Sequence, residues 1–295
     1  MDQAIGLRKK GDGEVVPTRP VSSTVPSLQK PVRVLAVSSG KGGVGKSNVV
    51  INLALAFDRM GLKVLIMDAD LGLANIDVLL GLTPKYNLSH VLNGQKTLEE
   101  VLINGPGNVR IMPSGSGVQE LTRLTDEQKL ILLELLEGLE TDIDILLIDT
   151  SAGISDTVLY FNLAAHEKIV IVTPEPTSLT DAYALIKVLY SKHGERHFRI
   201  LVNSSTNELS GKAIFAKISK VADHFLDGLS LDYLGTIPHD VFVTKSVLKQ
   251  RALLELFPDT PAAKAFVQIA NHIRKTPPFT NQGTIQFFWK RLLNV

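Results

Sequence analysis

Gly40-Lys41-Gly42-Gly43-Val44-Gly45-Lys46-Ser47 follows the apolar run VRVLAVS at residues 32–38 and leads into a helix-length segment at residues 47–60. The octet fits G-x-x-x-x-G-K-[ST] in a strand–loop–helix setting. Its glycines let backbone N–H groups turn inward around phosphate oxygens. The helix that follows presents its positive amino-terminal end to the anion. Lys46 is placed to reach the β- and γ-phosphates of a nucleotide, and the Ser47 hydroxyl to ligate Mg2+. Asn48, next on the helix, is counted with the nucleotide-binding set. The alternative, an ordinary glycine-rich turn, does not call for Lys-Ser at its end.

Outward from this loop, short apolar runs alternate with helical patterns. Residues 32–38, 63–68, 109–112, 143–149, 168–172, 198–202 and 231–235 read as strands. Residues 47–60, 126–140, 155–165, 179–192 and 210–227 read as helices, with two more near 243–256 and 261–275. This alternation predicts an α/β fold with a mostly parallel sheet covered by helices on both faces. The organisation expected is a short helix or peptide at 1–10, a flexible Pro/Gly/Ser linker at 11–31, and a globular body at 32–275. A second linker at 276–283 and a separate amphipathic helix at 284–295 follow.

The chain has 295 residues, 31 Lys plus Arg against 30 Asp plus Glu, and no cysteine. A balance near neutrality argues against a protein that coats nucleic acid, and no direct nucleic-acid partner is expected. Without cysteine there is no disulfide, thiolate metal site, iron–sulfur cluster or cysteine nucleophile. The first ten residues lack the apolar core of a secretory signal, and no apolar run approaches the ~20 residues that span a bilayer. A cytoplasmic location is the expectation.

Carboxylates complete the chemistry. Asp68 and Asp70 end the second strand as D-x-D, where a phosphate-loop fold turns side chains toward the phosphates; such pairs also serve as plain turn residues. Asp149 closes LLID, the apolar-run-then-Asp pattern whose carboxylate holds Mg2+ through water. The guanine-reading N-K-x-D motif is not found, which favours ATP over GTP. Asn203 ends one strand and Pro238, His239 and Asp240 end another; Asn203 is either a base contact or a turn residue. His193 and His197 have poor spacing for a metal, and a solvated helix end is the better reading.

Lys41, a second lysine early in the loop, gives G-K-G-G-V-G-K-S, which resembles the deviant Walker A motif of the MinD/ParA-type P-loop ATPases. The resemblance implies that Lys41 reaches the ATP phosphates of a partner subunit, making the ATP state a face-to-face dimer. It also implies that Asp70 in D-x-D-x-G-L-x-N orients the attacking water. Asp68 then supports the Mg2+ site, and Asn203, Pro238, His239 and Asp240 hold adenine. Lys41, Lys46 and Asp70 are then the catalytic set. That family often has proline where Ser151 stands, so this chain departs from it there.

Two further strings narrow the resemblance to flagellar-number regulators of the FlhG/FleN type. Residues 2–8, DQAIGLR, are similar to that family's D-Q-A-x-x-L-R, and residues 173–187 to its T-P-E-P-T-S-x-T-D-A-Y-A-x-I-K. The likeness implies that Asp2, Gln3, Ala4, Leu7 and Arg8 bind and stimulate an SRP-type flagellar GTPase (FlhF-type). It also raises flagellar C-ring proteins and a flagellar transcription activator as partners. Residues 173–187 read either as a partner-facing loop or as a strand end whose Ser178 or Thr180 caps a helix. In the tail, Ile285, Phe288, Trp289, Leu292 and Leu293 share one face of a helical wheel, with cations around them. That describes an interfacial helix for an anionic membrane surface, or a helix docked on its own domain or on a partner. The combined expectation is an ATP-dependent homodimeric switch, reversibly bound to the inner face of the cell membrane, that sets flagellar number or placement. The alternative is a MinD- or ParA-like positioning ATPase; a small-molecule ligase or kinase on the same scaffold comes third.

Overall fold

The computed structural model of the chain describes residues 32–70, 75–113, 143–277 and 290–291. Four strands form the centre of a sheet: β1 (Arg33–Ser39), β2 (Val64–Ala69), β5 (Ile145–Ala152) and β6 (Glu167–Val172). β3 (Ile103–Asn104) and β4 (Arg110–Met112) extend one edge, β7 (His197–Ser205) and β8 (Ser230–Pro238) the other. The order is β3-β4-β2-β5-β1-β6-β7-β8. β3 and β4 pair antiparallel, and every other pair is parallel. The expected α/β architecture therefore holds. β3 was not anticipated, because two residues carry no readable alternation.

Helices cover both faces. They are α1 (Lys46–Asp58), α2 (Ile76–Leu80), α3 (Leu88–Leu92), α4 (Leu98–Val101), α5 (Asp156–Ala164), α6 (Pro176–His193), α7 (Glu208–Phe225), α8 (Val241–Leu248), α9 (Leu253–Leu256) and α10 (Pro261–Lys275). Strand residues alternate between two cores, as the pleat requires. Leu35 and Val37 pack with α1 and α10, whereas Val34 and Ala36 pack with Phe161 and Ala164 of α5. α1 is apolar nearly all round because α10 covers its outer side. Its buried Asn52 accepts the backbone N–H of Leu254 at 3.0 Å, which fixes α9 against it.

Several expectations are corrected. The helix read at 243–256 is two helices, α8 and α9, parted by a turn at Gln250, whose φ is +52°. The Gln250 amide donates to the Val78 carbonyl at 2.9 Å, a long-range contact that local periodicity does not carry. α6 begins at Pro176, earlier than read, and neither Ser178 nor Thr180 caps it: Glu175 is the capping position. Ser178 Oγ instead accepts the Thr173 N–H at 3.0 Å, and Thr180 Oγ1 donates back to the Pro176 carbonyl. α4 went unread although Thr97 and Glu100 form a capping box. The helix at 126–140, the peptide at 1–10 with Asp2, Gln3, Ala4, Leu7 and Arg8, and the linker at 11–31 lie outside the described residues. So do residues 278–283 and the tail positions Ile285, Phe288, Trp289, Leu292 and Leu293.

At the amino-terminal ends of β1, β6 and β7 an ionic cluster is buried. Glu167, fully buried, takes Arg33 on one side (2.8 Å to Nη2) and Arg199 on the other (2.7 Å to Nη1). Arg33 also donates to the carbonyls of Ile273 and Thr276 at the end of α10. Arg199 reaches the Pro277 carbonyl at 3.4 Å. The strand ends thus satisfy one carbonyl of the last turn, Ile273, and two just past the helix, Thr276 and Pro277.

Candidate active site

β1 runs to Ser39, and the next residues must turn back at once into α1. Gly43 (φ +78°) and Gly45 (φ +85°) take left-handed conformations there. Gly40 is required for another reason: a Cβ on it would lie 2.1 Å from the backbone carbon of Asp181, so α6 sits directly on the loop. The chain crosses from β1 to β2 over β5, and from β5 to β6 over β1. The carboxyl ends of β1 and β5 therefore flank the reversal point where ligands bind in such sheets.

The loop gathers charge. Lys46, at the first turn of α1, is buried, and its Nζ lies 2.6 Å from Asp149 Oδ1. The other Asp149 oxygen, Oδ2, is buried with no hydrogen-bond partner. Burial pushes the Asp149 carboxyl up, against the pull of Lys46 and Ser47. Asp68, on the neighbouring strand, faces Asp149 in register. Burial, with the Asp149 charge beside it, pushes Asp68 up to about 7, although the N–H groups of Asp70 (3.1 Å) and Ile76 (3.5 Å) donate to it. Asp70 is held between Ser151, whose Oγ donates to its Oδ1 at 3.0 Å, and Asn75, whose Nδ2 donates to its Oδ2 at 3.4 Å.

Beside the loop is a cleft of about 420 Å3 lined by Gly43, Gly45, Pro174, Asn203, Pro238 and His239 among others. All four residues read from sequence as base contacts line it. Asn203 Nδ2 donates to the Val44 carbonyl at 2.7 Å, and the Asp240 carboxylate accepts the N–H groups of Phe242 (2.9 Å) and Ala262 (3.2 Å). Ser204, in the left-handed region at φ +56°, pairs its hydroxyl with His239 Nδ1 at 3.1 Å. Lys41 is engaged within its own chain by the Glu175 carboxylate and by Thr177 Oγ1 at 3.2 Å.

The structure thus brings the phosphate loop, Asp68, Asp70, Asp149 and the four cleft residues to one end of the sheet. Sequence reading missed the partners: Glu175 and Thr177 for Lys41, Ser151 for Asp70, Ser204 for His239. Ser151 was visible only as a departure from proline. His193 ends α6 and His197 opens β7, so the two do not share a helix. Chemically, an amide cradle, a buried ammonium and an orphaned carboxylate oxygen suit a polyphosphate with a hard divalent cation.

Fold and site together are those of a P-loop NTPase. The family profile described as "ParA: NUBPL iron-transfer P-loop NTPase" matches residues 30–274. The chain is 48% identical over 264 residues to "Antiactivator FleN" of Pseudomonas aeruginosa, covering 89% of this chain and 94% of that protein. It is 34% identical to "Flagellum site-determining protein YlxH" of Helicobacter pylori, over 81% of this chain and 80% of that one. The solved structure of the septum site-determining protein MinD of Pyrococcus horikoshii, complexed with Mg-ADP, matches with a TM-score of 0.64 at 28% identity. That match covers 83% of this chain and 96% of the other. The chain belongs to the ParA/MinD-type P-loop ATPases, in the branch of FleN/FlhG-type regulators of flagellar number.

Proposed function

We propose that the chain is an ATP-driven, dimerising switch that regulates flagellar number or placement. The observation that carries this reading is the buried Lys46–Asp149 pair with its orphaned Oδ2, in one crevice with Asp68 and Asp70. In the reading, Gly40 to Asn48 cradle the phosphates and Lys46 moves from Asp149 to the β- and γ-phosphates. Ser47, Asp68 and Asp149 hold Mg2+, which when bound neutralises phosphate charge. The cleft at Asn203, Pro238, His239 and Asp240 takes adenine. Asp70 orients the water that attacks the γ-phosphorus, and the P–O bond to the β-phosphate breaks to give ADP and phosphate. Positioning and charge neutralisation supply most of the rate.

Lys41 leaves Glu175 and Thr177 to reach ATP in a second copy, which makes the ATP state a dimer. Two copies then present two tails to an anionic membrane, and paired anchors bind where one is weak. The 1–10 segment, on its linker, stimulates an SRP-type flagellar GTPase. C-ring proteins and a flagellar transcription activator are the further partners; the antiactivator named among the relatives supports the last. The test compares the GTPase rate of the SRP-type flagellar GTPase with the intact chain and with one lacking residues 1–10. Stimulation by the intact chain alone is expected. No stimulation by either removes the activator assignment and favours a MinD- or ParA-like positioning role.

A further inference from the structure

Asp70 follows directly on β2 and its carboxylate is gripped on both oxygens, by Ser151 at 3.0 Å and Asn75 at 3.4 Å. The shorter contact comes from the firmer support. Ser151 lies on β5, where Thr150 pairs with Ala69 of β2, so Ser151 stands beside Asp70 across the strand pair. Its backbone is pinned: Thr150 Oγ1 donates to the Ser151 carbonyl at 3.0 Å, and Gly153 N–H to the Ser39 carbonyl at 2.9 Å. Thr150 Oγ1 also lies 3.2 Å from the Val37 carbonyl of β1. The hydroxyl therefore projects from the sheet itself.

A carboxylate that orients water must present its lone pairs in one direction. An aspartate turning about two side-chain bonds spreads them over many. One hydroxyl donor on Oδ1 fixes the carboxylate plane and leaves acceptor capacity for water. A proline at this position, frequent in the wider family, offers no donor.

We propose that Ser151 is the positioning residue for Asp70, fixing its carboxylate for the attacking water. This rests on the reading of Asp70 given above. The test measures steady-state ATP hydrolysis by the full-length chain and by Ser151→Ala, Ser151→Thr, Asp70→Ala and the double variant Ser151→Ala/Asp70→Ala. Ser151→Ala is expected to lower kcat about tenfold, the size of one hydrogen bond to a charged group, with the KM for ATP within about twofold. Ser151→Thr keeps the hydroxyl and recovers most of the rate. In the Asp70→Ala background, removing Ser151 costs less than about twofold more, because the hydroxyl acts through Asp70. An unchanged or faster Ser151→Ala, a Thr variant as slow as Ala, or a full additional loss in the double variant overturns the proposal. If Asp70→Ala itself turns over at the wild-type rate, the Asp70 reading falls and takes this one with it. If Asp70→Ala is slow while Ser151→Ala is not, only the Ser151 role is lost.

Discussion

Lys46 and Asp149 are more than a binding pair, because they form a close ion pair in a dry place. Lys46→Ala leaves a buried carboxylate uncompensated, which costs roughly 3 kcal/mol of nucleotide-free stability. Denaturant titration should show that loss, and Lys46→Ala/Asp149→Asn should recover most of it. Asp68 has the opposite sign. Its carboxyl sits at about 7 in the fold against the ordinary 3.8, so the folded state favours the proton. That preference stabilises fully below about pH 4 and is lost as pH rises through 7. Asp68→Asn should therefore raise nucleotide-free stability at pH 8, by up to about 4 kcal/mol, while lowering Mg2+-dependent hydrolysis. Thermal melts at pH 5 and pH 8 check it: the expected gain at pH 8 is more than twice that at pH 5, where only part of the preference has been lost.

Among the elements, α6 governs the loop. Its backbone at Asp181 touches Gly40, and Glu175 and Thr177 before and within its first turn hold Lys41. Gly40→Ala must push helix and loop apart, costing about 2–3 kcal/mol and weakening nucleotide binding together; melting and nucleotide titration of one preparation read both. Such contacts explain what could be read in advance. β1, β2, β5 and β6 are continuously apolar because both faces are covered, and the octet at Gly40 to Ser47 carries its chemistry locally; both were legible. The Lys41–Glu175 and Asp70–Ser151 contacts join residues far apart in the chain, and no local spacing encodes them. The break between α8 and α9 was hidden likewise, since Gln250 is held by Val78 from another element.

At the scale of the whole molecule, the strands separate two ends with different chemistry. The phosphate loop, Asp68, Asp70 and Asp149 gather at the carboxyl end, and the Arg33–Glu167–Arg199 cluster at the other. His166 also lies at that far end, held down to about 4 by burial and by the cations of Lys168 and Arg291. The folded state resists its proton, so stability is full above about pH 6.5 and falls as pH drops toward 4, by about 3 kcal/mol at most. His166→Asn should flatten that acid limb in chemical denaturation followed against pH. The seven residues of β1, at ~3.3 Å each, set the two ends roughly 20 Å apart. The chain leaves α10 through carbonyls gripped by Arg33 and Arg199, so a pull on the residues after Pro277 is received by the feet of the central strands. The load path runs into the central strands, through arginines whose buried ion pairs with Glu167 salt scarcely loosens. A copy held by its last residues would take the load at the end of the sheet opposite the phosphate loop.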